Sequence, residues 1–367
     1  MKISVNKDNL FPVIARVYRA VSARPTDPAM AGIKIEIQVD ENQNAMAKAS
    51  AFDGENAITG FFPVTLTGEA QILRPSGLAF FDILRDLPDG EITLELSNNQ
   101  ILITAGRGKF KIPQLGVSPL DASSIKKPIL TGVLSGEEFA SAVAKVISAT
   151  SKNTTQLALA SVRVEANEKT LRLVATDRYR MAKIDIPWVR NFAEDKVLLL
   201  PFKVISDLAK AYGKTNKLTL GFGDTLGLAE GDSVESIFRV AAGEFPKYEA
   251  LLNPTITATA DFDADEFRGA LKRVSKFNNE FVKVTVSTDA IKIENSTSES
   301  GEGSEEISVK YEGSETFTTS FNPQYLLDAM AQLEGVTRLN YVGQAKPTTF
   351  ISSTLPNYIH LVMPVNR

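Results

Sequence analysis

Three stretches of this chain repeat one plan, a capped amphipathic helix, a polar loop and an alternating strand. A repeat of that kind limits the architecture before any motif is read. In the first stretch Leu10, Val13, Ile14, Val17 and Val21 fall at helical spacing, and Gly32–Val39 reads as the strand. In the second, Ser135-Gly136-Glu137-Glu138 makes a capping box, with Phe139, Val143, Val146 and Ile147 as the buried stripe and Leu157–Val164 as the strand. In the third, Asp263 and Glu266 repeat the box. Phe267, Ala270, Leu271, Val274 and Phe277 make the stripe, and Val282–Val286 the strand. Spacings of three and four place each set on one helix face.

Each stretch has a second half with its own helix, at Phe80–Leu87, Phe202–Tyr212 and Pro323–Leu333. Pro201 and Pro323 sit where a helix start tolerates proline. Strands follow at Glu91–Leu96, Gln100–Ala105, Lys217–Phe222 and Arg338–Val342. Polar, proline-bearing joints at Ser118–Pro128 and Leu252–Thr257 divide the 367 residues into domains 1–120, 128–252 and 256–367. The expected class is α+β, with helix pairs laid on antiparallel sheet. An array of three independent binding modules fits the same repeat.

Composition removes several functions. There is no Cys and one His, His360, so a thiolate metal site is excluded and a triad or zinc enzyme disfavoured. No cofactor or metal site is implied. No apolar run approaches the roughly 18 residues of a membrane span, and Met1-Lys2-Ile3-Ser4-Val5 reads as a short strand and not a signal peptide. A cytoplasmic protein with no membrane partner is expected.

The net charge is −4, so any contact with nucleic acid needs segregated positive charge. Lys203, Lys210 and Lys214 form one helical stripe, and Arg268, Lys272 and Lys276 another, with Arg273 alongside. Arg16, Arg19 and Arg24 mark the first helix and its end, and Lys145 and Lys152 the second stretch. Acidic residues gather elsewhere, at Glu299, Glu302, Glu305, Glu306, Glu312 and Glu315. The pattern predicts a basic concave surface built from helices. The Pro323–Leu333 helix departs from it, with Asp328 and no Lys or Arg. No aromatic residues interleave with the charge and no groove-reading helix is present, so the expected contact is with phosphates, independent of sequence. Ser296–Glu306 reads as a solvated hairpin loop. Gly106-Arg107-Gly108-Lys109 lacks P-loop spacing and reads as a hairpin turn.

Two motifs remain. Leu171–Ala182, LRLVATDRYRMA, reads as a strand, a sharp Thr176-Asp177 turn and a second short strand. The chain ends on an alternating strand that reaches Val362-Met363-Pro364-Val365. Together these resemble the two halves of the partner-binding groove of the bacterial DNA sliding clamp family, the β subunit of the replicative polymerase, which carries ATDG(H)R(L) and a (V)MP(M/V) ending. The resemblance spans the chain. It includes Arg24-Pro25-Thr26, Phe80-Phe81-Asp82-Ile83 with Leu87-Pro88, and Gly243-Glu244-Phe245-Pro246-Lys247-Tyr248.

The resemblance implies three repeated domains of the DNA clamp fold, helices on one face of antiparallel sheets, and a head-to-tail homodimer that closes a six-domain ring around duplex DNA. It implies a non-enzymatic processivity factor. Its partners would be the replicative polymerase, the clamp loader and other proteins with a clamp-binding peptide. By position the groove comprises Leu159, Thr176, Arg178, Tyr179, Arg180, Met181, Pro246, Ala250, Leu251, Pro347, Leu361, Val362, Met363, Pro364 and Val365. Arg178 stands where the family usually has Gly, Tyr179 where His is common, and Ala250 where Arg is frequent. DNA contacts carry over to Arg24, Lys152, Asn153 and Lys203, and the dimer interface to Phe110, Lys276 and Phe277. Two other classes stay open: an enzyme using Asp177 and Asp53, and a monomeric peptide-binding adaptor.

Overall fold

A computed structural model describes residues 1–22, 24–25, 27–117, 125–277, 280–297 and 301–365. The described chain forms two compact units. One holds Met1–Glu137, Val189–Ala193 and Asp207–Val240; the other holds Glu138–Trp188, Glu194–Ser206 and Ala241–Arg367.

The first unit is built on a 12-stranded antiparallel sheet. Its helix Lys7–Val17 buries Leu10, Val13, Ile14 and Val17, as the spacing predicts, and Asn6 caps it by accepting the Asp8 N–H at 2.9 Å. Such a cap is worth about 1 kcal/mol. The helix lies close on the strand Ala57–Thr67, where a Cβ on Gly60 would come within 2.4 Å of Val13 Cγ1. The second helix, Gly77–Asp86, meets the first through Phe81, whose ring stacks 5.8 Å from Phe11 and 4.5 Å from Tyr18, just past the first helix's end. The strand Val234–Arg239 pairs with Ala57–Thr67, so one sheet joins sequence from the first and second repeats. Gly106 has a φ of 55° in the turn between Gln100–Ala105 and Gly108–Pro113, which is the hairpin the sequence predicts.

The second unit contains a 9-stranded and a 4-stranded antiparallel sheet. Its helix Ala264–Val274 buries Phe267, Ala270, Leu271 and Val274, and the Asp263 carboxylate accepts the N–H groups of Asp265 and Glu266, both at 2.9 Å. The helix Pro323–Met330 starts on the Asn322 cap with proline in the first turn. In the larger sheet Arg180–Pro187 pairs with Leu355–Val362, which joins sequence from the second and third repeats.

Two sequence readings are corrected. The strand placed at Leu157–Val164 starts at Ser161 and runs to Ala166. Its predicted first residues form turns, with Leu159 N–H and Ala160 N–H both donating to the Gln156 carbonyl at 3.0 Å. The side chain of Asn153 opens that turn by accepting the Thr155 N–H at 3.0 Å. The acidic stretch Ser296–Glu306 is largely strand: Ala290–Thr297 pairs with Gly301–Ser308. Ile291, Ile293 and Ile307 are buried on one face and draw the hairpin into register, with Glu302 and Glu306 on the other face and Glu305, opposite Ile293, paired with Arg273. Glu299 lies outside the described residues.

Candidate functional site

The Thr170–Thr176 and Arg180–Pro187 strands form a hairpin in which Thr176 faces Met181 and Val174 faces Lys183. The C-terminal strand continues the sheet, with Met181 opposite Leu361 and Lys183 opposite Ile359. Residues directly opposite one another share a face, and alternate residues share it too. One face therefore carries Thr176, Met181 and Leu361 in a row, with Val174 in the next row. Met181, Leu361, Val174 and Leu199 form one apolar cluster with Phe245 and Tyr248, and Ala158, Ala241 and Leu252 pack against it. Phe245 and Tyr248 meet edge to face at 6.3 Å.

The turn that carries the motif is fixed by its own side chains. Asp177 Oδ1 accepts the N–H groups of Tyr179 and Arg180, both at 3.0 Å. Thr176 Oγ1 accepts the Arg178 N–H at 3.1 Å and donates to the Arg180 carbonyl at 2.7 Å. Arg178 has a φ of 79°, the left-handed region that glycine occupies without penalty. Arg180 and Val362 are paired on the face opposite Met181 and Leu361, and so do not line the same row. The Arg180 guanidinium is instead buried, 3.0 Å from Asp177, paired with Asp328 and 4.4 Å over the Tyr325 ring. Asp328 was the anomaly of an otherwise uncharged helix; it serves this pair. Tyr179 is exposed and stacks on Tyr325 at 6.4 Å.

Beyond the apolar cluster the same face holds a charged network. Arg172 grips Asp185 with two hydrogen bonds, at 2.7 and 3.3 Å, and Lys183 pairs with the same carboxylate. Burial would raise the Asp185 carboxyl, yet these bonds hold it below the ordinary carboxylate value. Arg163 donates to Glu165 at 2.6 Å, and the Tyr248 hydroxyl donates to the same oxygen at 2.8 Å. Burial pushes the Tyr248 phenol well up, and Glu165 beside it pushes it further.

A surface depression of about 340 Å³ adjoins the cluster. It brings together Leu159, Arg178 and Pro246 of the predicted groove, with Leu157, Ala158, Gly243 and Glu244 among its other lining residues. Ala250 and Leu251 lie on the short helix Glu249–Leu252 and are exposed. Pro347 is half-buried. After the strand ends at Val362, the Met363 N–H donates to the Tyr179 carbonyl at 2.7 Å and the Val365 N–H to the Ser320 carbonyl at 2.8 Å. Met363, Pro364 and Val365 are half-buried. Val174, Leu199, Phe245 and Tyr248 belong to the cluster although the positional reading did not select them. The period-two alternation from Thr176 to Val174 was the available signal for one of them.

Three consecutive family models match the chain: the N-terminal domain of the DNA polymerase III beta subunit over residues 1–121, the central domain over 126–247 and the C-terminal domain over 252–366. The chain belongs to the bacterial β sliding clamp family. The beta sliding clamp of Streptomyces coelicolor is 28% identical, with 100% of this chain and 99% of that protein covered. That of Caulobacter vibrioides is 27% identical with both covered in full, 100% each. Among solved structures, the Pseudomonas aeruginosa clamp bound to griselimycin superposes with a TM-score of 0.91 at 21% identity, covering 100% of both chains. The C. crescentus clamp superposes with a TM-score of 0.89 at 23% identity, covering 100% of this chain and 99% of the other. Members of this family are processivity factors and not enzymes.

Asp177 and Asp53, the residues of the enzyme reading, are both spent on capping turns; Asp53 accepts the N–H groups of Glu55 and Asn56 at 2.9 and 2.7 Å. Among the described residues no group of three or more His, Cys, Asp or Glu is placed to hold a metal ion, and no helix is long and apolar enough to cross a membrane.

Several basic residues predicted to line a clamp's DNA surface are engaged within the fold. Arg16 pairs with Asp232 at 3.2 Å, Arg19 with Asp207 at 3.3 Å, and Arg273 with Glu305 at 2.7 Å. Arg24, Lys152, Asn153 and Lys203 are exposed. Phe110 is exposed on Gly108–Pro113, the edge strand of its sheet. Lys276 is exposed just past the Ala264–Val274 helix, and the half-buried Phe277 ring lies against Gly303 of the edge strand Gly301–Ser308.

Proposed function

We propose that the chain acts as three domains, 1–120, 128–252 and 256–367. Two copies join head to tail into a six-domain ring around duplex DNA in the cytoplasm. The groove around Met181 and Leu361 tethers the replicative polymerase, the clamp loader and other proteins bearing a clamp-binding peptide. One observation carries the groove: residues from the two separate motifs, Met181 and Leu361, stand opposite each other on one sheet face and share one apolar cluster. Met181 and Leu361 are buried and form a floor, while the half-buried Met363 suits a surface that receives Leu or Phe anchors from several partners. Met363, Pro364 and Val365 extend the wall, with Pro246, Ala250 and Leu251 facing a bound peptide from the Phe245–Leu252 segment.

The edge strands support the ring. Gly108–Pro113 and Gly301–Ser308 each end a sheet and offer unpaired backbone groups, which a second copy can satisfy. Their charges are complementary: Arg107, Lys109 and Lys111 are exposed at the first edge, Glu302 and Glu306 at the second. A contact of two different surfaces closes into a ring when its rotation permits. Arg24, Lys152, Asn153 and Lys203 then meet phosphates, with retention supplied by topology more than by affinity. Native mass at micromolar concentration tests the reading: a dimer is expected, and a monomer contradicts the ring.

A further inference from the structure

Arg178 is unlike the other arginines of its sheet. Arg163, Arg172 and Arg180 are each tied to a carboxylate, at 2.6, 2.7 and 3.0 Å. Arg178 is exposed, and among the described residues no carboxylate forms an ion pair with it. Its backbone is held at a φ of 79° by the Thr176 hydroxyl and the Asp177-capped turn, a conformation that disfavours a side chain of this size. The turn thus fixes where the side chain starts, at the edge of the depression lined by Leu157, Leu159 and Pro246. Glu244 lines the same depression. An apolar floor is therefore bordered by one cation and one anion that do not neutralise each other.

We propose that Arg178 is a specificity-determining residue, which selects partner peptides that carry a carboxylate beside the apolar anchor. This rests on the groove assigned above. The peptide's Leu or Phe covers Leu157, Leu159 and Pro246, and the adjacent carboxylate meets the guanidinium in a charge-assisted hydrogen bond. Glu244 opposes the same carboxylate and so fixes which way the peptide lies.

Calorimetry with the full chain tests this, using three peptides identical except for Asp, Asn or Lys beside the anchor. At low salt the Asp peptide binds about fivefold more tightly than the Asn peptide, the size expected of an exposed ion pair. The Lys peptide is weakest. The preference shrinks in roughly 0.5 M salt, as screening requires. Arg178→Gly, a residue that this φ admits readily, abolishes the preference. Arg178→Glu turns it toward Lys, and Glu244→Gln enlarges it. Equal binding of all three peptides by the parent, or an Asp preference that survives Arg178→Gly, overturns the proposal while leaving the groove in place. Binding of none of the three overturns the groove itself.

Discussion

The Tyr248 hydroxyl donates to Glu165 Oε1 at 2.8 Å, and that bond ties an irregular segment to the sheet. The chain from Val240 to Tyr248 has no regular secondary structure, so it has no ladder to hold it. It is anchored by the Ala241 N–H to the Leu199 carbonyl at 2.7 Å, by the buried ring of Phe245 and by Tyr248. Pro246 and Leu251, assigned above to one wall of the proposed groove, stand on either side of the Tyr248 anchor in sequence. Tyr248→Phe keeps the ring and removes the bond, which leaves Glu165 with one donor fewer. A buried hydrogen bond of this kind is worth about 1 kcal/mol or somewhat more. Peptide affinity should fall about fivefold while native mass stays that of the parent. Calorimetry with the parent's affinity retained would show that the segment needs no such tie.

The chain has one histidine, and it is buried. The Tyr358 hydroxyl lies 2.7 Å from His360 Nδ1, and burial, aided by the nearby Arg180 charge, pushes the imidazole down to about 3. The unfolded chain binds a proton at His360 below its ordinary value of 6.5, and the folded chain does not. Stability therefore falls as pH drops from 6.5, by about 1.4 kcal/mol per pH unit. Urea unfolding at pH 6.5 and pH 5 should differ by roughly 2 kcal/mol, with His360→Gln removing most of the difference. No other histidine can supply that slope. Equal unfolding midpoints for the parent at the two pH values would refute the neutral buried imidazole.

Much of the fold was legible because its signals were local. Leu10, Val13, Ile14 and Val17, or Phe267, Ala270, Leu271 and Val274, needed only helical spacing to be read as buried faces. Asp263 and Pro323 announced their helix starts, whereas the Asn322 cap was not read. Other features depended on partners distant in sequence. Nothing near Arg180 shows that its charge is matched by Asp328, 148 residues away, on the face opposite Met181. Arg16 and Arg19 read as part of a free basic stripe because Asp232 and Asp207, their partners, are more than 180 residues away. The row from Thr176 through Met181 to Leu361 became visible only once register was known.

The DNA reading predicts a specific loss. Arg24 and Lys203 are exposed, and each neutralised phosphate contributes about 0.9 to the slope of log affinity against log salt. Replacing both with Ala should weaken retention on duplex DNA without changing sequence preference, and should make that slope shallower by about one to two units. Binding measured on circular duplex at several salt concentrations decides it. A slope identical to the parent's would remove these two residues from the interface.

Calorimetry with a peptide from the replicative polymerase's C-terminal region tests the proposed groove. One buried Leu or Phe anchor is worth roughly 1.5–3 kcal/mol, so the parent should bind about micromolar at best. Met363 and Val365 are held by backbone bonds to Tyr179 and Ser320 beyond the end of the last strand. Deleting Met363–Arg367 therefore takes away one wall of the proposed groove and leaves Leu361 in its sheet. The deletion should abolish peptide binding with the dimer mass unchanged. Undiminished binding by the shortened chain would contradict the proposed groove and place the partner site elsewhere.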